Sequence, residues 1–157
     1  MRYAGIIYDD TTAAPGLCLT FFTQGCPIHC PGCHNPQTWN PDGGHEFTPE
    51  VLNHIVDGVV ANGVTRNLCI MGGEPFAPYN IFLTHLVIKT VKENHPNVKV
   101  FIWTGYYLKD LPPANPHIKA ILEMTDCVIE GPFEIDKRDI TLPMCGSSNQ
   151  KVTWLTK

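Results

Sequence analysis

Apolar positions along the chain follow two rhythms. Between Val51 and Val60 they recur at i, i+1, i+4, i+5, i+8 and i+9 (Val51, Leu52, Ile55, Val56, Val59, Val60), which predicts a helix with one broad apolar face. Thr48-Pro49-Glu50 supplies its start: a hydroxyl cap, proline at the first helical position and an acid in the first turn. Asn62-Gly63 predicts its end. A second helix is predicted over about 79–94, with Ile81, Phe82, His85, Leu86 and Ile88 facing inward, and a third over 116–124. Between these lie short apolar or β-favouring runs bounded by turn formers, at 2–8, 17–24, 67–71, 98–103, 127–130 and 152–155.

Strand and helix therefore alternate through the middle and late chain, the signature of an α/β fold with mainly parallel strands and right-handed crossovers. Roughly four or five such units are too few to close an eight-stranded barrel, so the expected architecture is an open partial (β/α) barrel. With no internal repeat or linker, residues 1–157 are expected to form a single domain. Ligands in parallel α/β folds collect at the carboxyl ends of strands. Those ends carry Gly72-Gly73-Glu74-Pro75, Thr104-Gly105-Tyr106 and Glu130-Gly131-Pro132-Phe133, and the 17–24 strand leads into a cysteine-rich loop.

Composition narrows the class. A chain of 43% hydrophobic and 17% charged residues is globular, and its net charge of −4 without any basic stripe gives no expectation of nucleic-acid binding. The N-terminal residues lack the apolar core of a secretory signal, and no apolar run reaches the length of a membrane span, so no membrane association is expected. Seven cysteines, odd in number and unevenly spaced, make no disulfide framework and fit a reducing cytoplasmic setting.

Three of those cysteines fall within eight residues, in Gly25-Cys26-Pro27-Ile28-His29-Cys30-Pro31-Gly32-Cys33-His34-Asn35, the start of a loop extending over about 25–46. Pro27 and Pro31 forbid a regular helix. Gathered thiolates repel unless a cation neutralises them, and soft sulfur selects zinc or iron–sulfur species. Cys26, Cys30 and Cys33 leave one coordination position open, the arrangement of a working rather than a closed metal site. The alternative is structural zinc with His29 or His34 as fourth ligand, but the second ligand pair of a usual zinc module is missing. Cys18, Cys69 and Cys127 lie in apolar strands as small hydrophobes, and Cys145 lies beside a polar segment. Taken alone, Gly72-Gly73-Glu74 is equally a turn with a solvated acid, Thr104 a strand end, and Gly146-Ser147-Ser148-Asn149-Gln150 a surface turn, a pocket rim or a partner contact.

The C-x3-C-x2-C spacing resembles that of the radical S-adenosylmethionine enzymes. With Gly32 before the third cysteine, His34-Asn35 after it, and Trp103-Thr104-Gly105-Tyr106 and residues 146–150 downstream, the chain is similar to the activating proteins of the anaerobic ribonucleoside-triphosphate reductase. It departs from that family where Leu17 and Cys145 replace arginine and where Glu130 replaces aspartate. The resemblance implies one 4Fe-4S cluster on Cys26, Cys30 and Cys33, with S-adenosylmethionine chelating the open iron. It further implies cofactor contacts from Gly32, Cys33, His34, Gly72, Gly73, Glu74, Thr104 and Glu130, Glu74 facing the methionine ammonium. By the same resemblance, a flavodoxin-like donor reduces the cluster, S-adenosylmethionine is cleaved, and a hydrogen atom is taken from a glycine of the large reductase subunit. Other implied possibilities are an activase of another glycyl-radical enzyme and a non-enzymatic iron–sulfur or zinc module. Because Gly72-Gly73-Glu74 and the cysteine loop are separate segments, replacing Gly73 or Glu74 is expected to spare cluster assembly.

Overall fold

The computed structural model describes residues 1–155. Seven strands form one sheet in the order β3-β1-β2-β4-β5-β6-β7: β1 (Arg2–Asp10), β2 (Cys18–Thr23), β3 (His45–Glu46), β4 (Asn67–Gly72), β5 (Val100–Thr104), β6 (Cys127–Glu130) and β7 (Lys151–Trp154). The central four, β2-β4-β5-β6, run parallel, and each parallel step is made through a helical crossover: α1 (Pro49–Gly58), α2 (Ile81–Asn94) and α3 (Pro116–Met124). The mixed sheet corrects the expectation of mainly parallel strands, since β1, β3 and β7 join antiparallel at its two sides. β3 went unpredicted because two residues paired to Arg2 and Tyr3 carry no pattern of their own.

Alternation along each strand separates two faces. Leu19 and Phe21 of β2, Leu68 and Ile70 of β4, and Val100 and Ile102 of β5 share one core with Ile55 of α1, Val59 just past its end, five residues of α2, and Ile118 and Ile121 of α3. All three helices therefore cover the same face. On the other face Cys18, Cys69, Phe101, Cys127 and Ile129 form a second core, closed by Ala14, Met144 and Cys145. No helix among the described residues is long and apolar enough to cross a membrane.

Helix signals act where the spelling places them. The Thr48 hydroxyl accepts from the Val51 amide (3.4 Å) with Pro49 opening α1, and Asn115 caps α3 through the amides of His117 and Ile118. The helix α1 ends earlier than predicted, at Gly58, and Asn62 sits in the left-handed region inside a separate 3-10 turn. The phase of α2 differs from the predicted one. Ile81, Leu83, Thr84, Val87, Ile88 and Val91 are buried, whereas Phe82 is 53% exposed and His85 and Leu86 are half-buried. The run Ile-Phe-Leu-Thr-His-Leu-Val-Ile is apolar on both sides, so periodicity leaves its rotation open. Packing on the sheet settles it, helped by the Thr84 hydroxyl donating to the Pro75 carbonyl (2.9 Å). His85 meets His117 of α3 Nδ1 to Nδ1 at 2.7 Å.

This rotation makes a measurable distinction. Leu83→Ala should lower the urea-unfolding free energy by about 2–5 kcal/mol, the cost of emptying a filled core position, whereas Phe82→Ala should change it by less than about 1 kcal/mol. Equal losses would restore the predicted phase.

Candidate metal and cofactor site

The cysteine loop has almost no regular structure, and its shape comes from hydrogen bonds across its base. Gly25 and Cys26 donate their amides to the carbonyls of Thr38 (2.6 Å) and Trp39 (3.1 Å), and the Cys33 amide donates to the Cys30 carbonyl (3.0 Å). Buried Gln24 braces the return strand, its Nε2 donating to the carbonyls of Gln37 and Asn40 (3.2 and 2.6 Å). His29 lies in the left-handed region (φ 52°) with its ring stacked on Trp39 at 4.5 Å. The loop is thus closed on itself, and Cys26, Cys30 and Cys33, all half-buried free thiols, line one cavity of about 180 Å³.

Backbone amides point at the sulfurs. Burial pushes the Cys26 thiol up, opposed by the amides of Ile28 and His29, and it pushes the Cys30 thiol up, opposed by the amide of Phe133. The Asn35 amide donates to Cys33 Sγ (3.4 Å). Such N–H groups favour the thiolate, while burial and neighbouring acids oppose it until a metal supplies positive charge. Among the described residues no three His, Cys, Asp or Glu side chains gather closely enough to hold a single metal ion. An iron–sulfur cube presents separate corners, so thiolates bound to different irons need not meet at one point. Three sulfurs lining one cavity fit a four-iron cluster with one iron free of protein ligand. His34 also lines the cavity, against the Phe133 ring at 5.4 Å, whereas His29 is held on Trp39.

The opposite wall is built by the ends of β4 and β5. Gly72, Gly73, Glu74, Thr104 and Gly105 line the same cavity as the thiols, as do Gly131 and Phe133 past β6. Gly73 is locked beneath the loop: its amide donates to the Thr23 carbonyl (2.9 Å), and the next amide, of Glu74, donates to the Gly25 carbonyl (2.9 Å). Asn80 Nδ2 donates to the same Gly25 carbonyl (3.1 Å) and to that of Glu74 (3.0 Å). A Cβ on Gly73 would collide with the Gly25 backbone. The two segments are therefore physically joined, which corrects the expectation that Gly73 could be replaced without touching the cysteine loop.

Glu74 is equally constrained. It is 1% exposed, and its carboxylate accepts from the Thr104 hydroxyl (2.7 Å) and the amides of Phe76 (2.9 Å) and Gly105 (2.7 Å). Thr104 Oγ1 in turn accepts from the Tyr106 amide (3.1 Å). The carboxylate expected to face a ligand ammonium thus staples β4 to β5, and the hydroxyl expected to meet a ligand oxygen is bonded to it. Burial raises the Glu74 pKa to about 7 against those three donors. Glu130 stands apart from the cavity wall, its carboxylate accepting from Thr153 of β7 (2.9 Å). Gly32, at the tip of the loop (φ +77°), packs against Ile135.

Several residues of the site escaped sequence reasoning. Ile28 reaches across to Gly105, where a Cβ would strike it. Met71 and Trp103 line the cavity floor, with Trp103 Nε1 donating to the Met144 carbonyl (2.8 Å). Their strand-end positions were the available signal, masked because apolar side chains there read as core.

Comparison with known proteins agrees with this geometry. Residues 13–153 match the family of the 4Fe-4S single cluster domain. The chain is 31% identical over 153 residues to the anaerobic ribonucleoside-triphosphate reductase-activating protein of Vibrio cholerae, covering 97% of both chains. It is 30% identical to the protein of that name from Escherichia coli K12, again over 97% of both. Against the one from Pasteurella multocida it is 32% identical over 158 residues, covering 100% of this chain and 99% of the relative.

The contact between Gly73 and Gly25 generates one prediction. Gly73→Val should reduce iron uptake on anaerobic reconstitution severalfold, because the carbonyl it displaces precedes Cys26; normal uptake would show that the loop accommodates the side chain. Glu74 generates another. Between pH of about 4.5 and about 7 the unfolded chain has released this proton while the folded chain retains it, so stability must fall as pH rises across that window. The loss attributable to Glu74 is at most about 3 kcal/mol. Urea unfolding of the metal-free protein at both ends of the window should show this slope, and Glu74→Gln should remove it.

Proposed function

The chain belongs to the family of the anaerobic ribonucleoside-triphosphate reductase-activating proteins, and from that membership we propose that it is a radical S-adenosylmethionine activase that installs a glycyl radical on that reductase. The observation that carries the proposal is the shared cavity: Cys26, Cys30 and Cys33 on one wall, and Gly72, Gly73 and Thr104 at strand ends on the other. A 4Fe-4S cluster with S-adenosylmethionine supplies one-electron cleavage of the sulfonium, and with it the removal of a hydrogen atom from a glycine of the partner.

The chain's own residues bind, orient and exclude. Cys26, Cys30 and Cys33 would hold three irons of the cluster, with the amides of Ile28, His29, Phe133 and Asn35 compensating the sulfur charge. Gly72 and Gly73 would receive the methionine end of the cofactor, their absent side chains admitting close backbone approach. Glu74 acts by holding Thr104 and Gly105 in place, and its second oxygen keeps a lone pair for the ligand ammonium. Gly32 and His34 form the rim, and Ile28, Met71 and Trp103 keep water from the reacting centre.

We read the seven-stranded sheet as an open partial (β/α) barrel in a single domain, its thiol-lined cavity past the ends of β4, β5 and β6 being where a loop of the reductase's large subunit enters. A flavodoxin-like carrier is the electron donor in this reading and the cytoplasm the location, which an odd, unevenly spaced set of seven cysteines supports.

The test is made on anaerobically reconstituted protein. Reduced and mixed with S-adenosylmethionine and the large reductase subunit, it should yield methionine, 5′-deoxyadenosine and a glycyl-radical EPR doublet. Cofactor cleavage without that doublet would point to another glycyl-radical partner, and iron without cleavage to a carrier. Cys26→Ala, Cys30→Ala and Cys33→Ala should each lose the cluster and all activity. Cys69→Ala, at a position with 0% exposure in the second core, should keep both and lose about 1 kcal/mol of stability.

A further inference from the structure

Residues 146–150, Gly-Ser-Ser-Asn-Gln, have no part in the reading above, yet the side chains of Ser147, Asn149 and Gln150 reach back to one segment, 131–134. Gln150 Oε1 accepts from the amides of Gly146 (2.7 Å) and Ser147 (3.2 Å), and its Nε2 donates to the Gly131 carbonyl (3.0 Å). Asn149 Nδ2 donates to the Pro132 carbonyl (2.7 Å), and Ser147 Oγ accepts from the Glu134 amide (3.2 Å). The Ser148 amide donates to the Lys137 carbonyl (2.8 Å). A short motif thus closes on itself and grips the segment that leaves β6.

That segment is a second wall of the cysteine loop. The Phe133 ring lies 5.4 Å from that of His34, and a Cβ on Gly32 would stand 2.6 Å from Ile135 Cδ1. Gly146 closes the other side of the same ring, where a Cβ would meet Phe133 at 3.2 Å. Gly131, Phe133 and Gln150 line the cavity together with the thiols. Contacts therefore run from 146–150 through 131–135 to 30–34.

We propose that Asn149 and Gln150 are positioning residues for the metal centre: by holding Gly131 and Pro132 they keep Phe133 and Ile135 against His34 and Gly32 of the cysteine loop, and so set the surroundings, and with them the midpoint potential, of a cluster in this cavity. A cluster's potential depends on its solvent exposure and on the groups packed around it, so outer partners tune it without being ligands. The inference rests on the metal-centre reading of the preceding subsection.

The experiment compares reconstituted wild type, Asn149→Ala and Gln150→Ala by iron content, midpoint potential and the EPR spectrum of the reduced cluster. Both variants should bind as much iron as wild type, with a shifted midpoint and an altered spectrum. Ile121→Val in α3, a loss of core packing outside the loop, should leave midpoint and spectrum unchanged. An unchanged midpoint in either variant that retains iron overturns the inference, and so does failure of both to retain iron. A wild type that assembles no cluster would instead sink the metal-centre reading itself. A wild-type cluster with unshifted variants sinks only the positioning role.

Discussion

The site depends on the carbonyl of Gly25. It is the last backbone acceptor before the first cysteine, and it receives both the Glu74 amide and the Asn80 side chain. Each such bond contributes about 1 kcal/mol net, and leaving a buried acceptor empty costs about 1–3 kcal/mol. The approach is possible only because residue 73 has no side chain, and the left-handed backbone of Gly25 itself (φ +98°) turns the chain out of β2 into the loop. Asn80, which precedes α2, ties the same point to the helix layer. Loop, strand end and helix start are thereby fixed to one atom. A loop of prolines and glycines with little regular structure needs such an anchor to hold its sulfurs in a constant relation to the sheet.

Much of this was legible in the chain, and the reasons differ by element. Caps and prolines placed α1 and α3 because Thr48, Pro49, Asn115 and Pro116 act on their own neighbours in sequence. The parallel centre followed from alternation. The antiparallel edges did not, because direction depends on how β1 and β7 meet partners far along the chain. For α2, apolar residues on both sides left rotation to the sheet. The same division runs through the site. The spacing of Cys26, Cys30 and Cys33 is a local fact, as is the placing of Gly72-Gly73-Glu74 at a strand end. That Glu74 is closed off by Thr104, Phe76 and Gly105 is a long-range fact, and an acid beside two glycines reads in sequence as a free ligand. Likewise Glu130, at the carboxyl end of β6, pairs with Thr153, a partner that only the antiparallel β7 brings near.

Cysteine shows how one residue type serves opposite ends within 157 residues. Cys18, Cys69 and Cys127 are wholly buried in the second core, where burial drives the thiols of Cys69 and Cys127 upward, the latter to about 11. There all three serve as apolar fillers. Cys26 and Cys30 feel the same push, but they lie half-exposed and face amides that their own loop and the β6 exit supply. The difference is not the thiol but the geometry around it. A strand directs its N–H groups to the neighbouring strand and leaves a buried thiol without donors. A tight loop has amides with no ladder to join, and it can turn them toward sulfur. Replacing this irregular loop by regular structure would remove those donors, and with them the means of holding negative sulfur at a half-buried site. The absence of secondary structure over the cysteine loop is therefore a requirement of its chemistry, and the Gly25 anchor and the grip of residues 146–150 on the opposite wall are what make that absence compatible with a fixed shape.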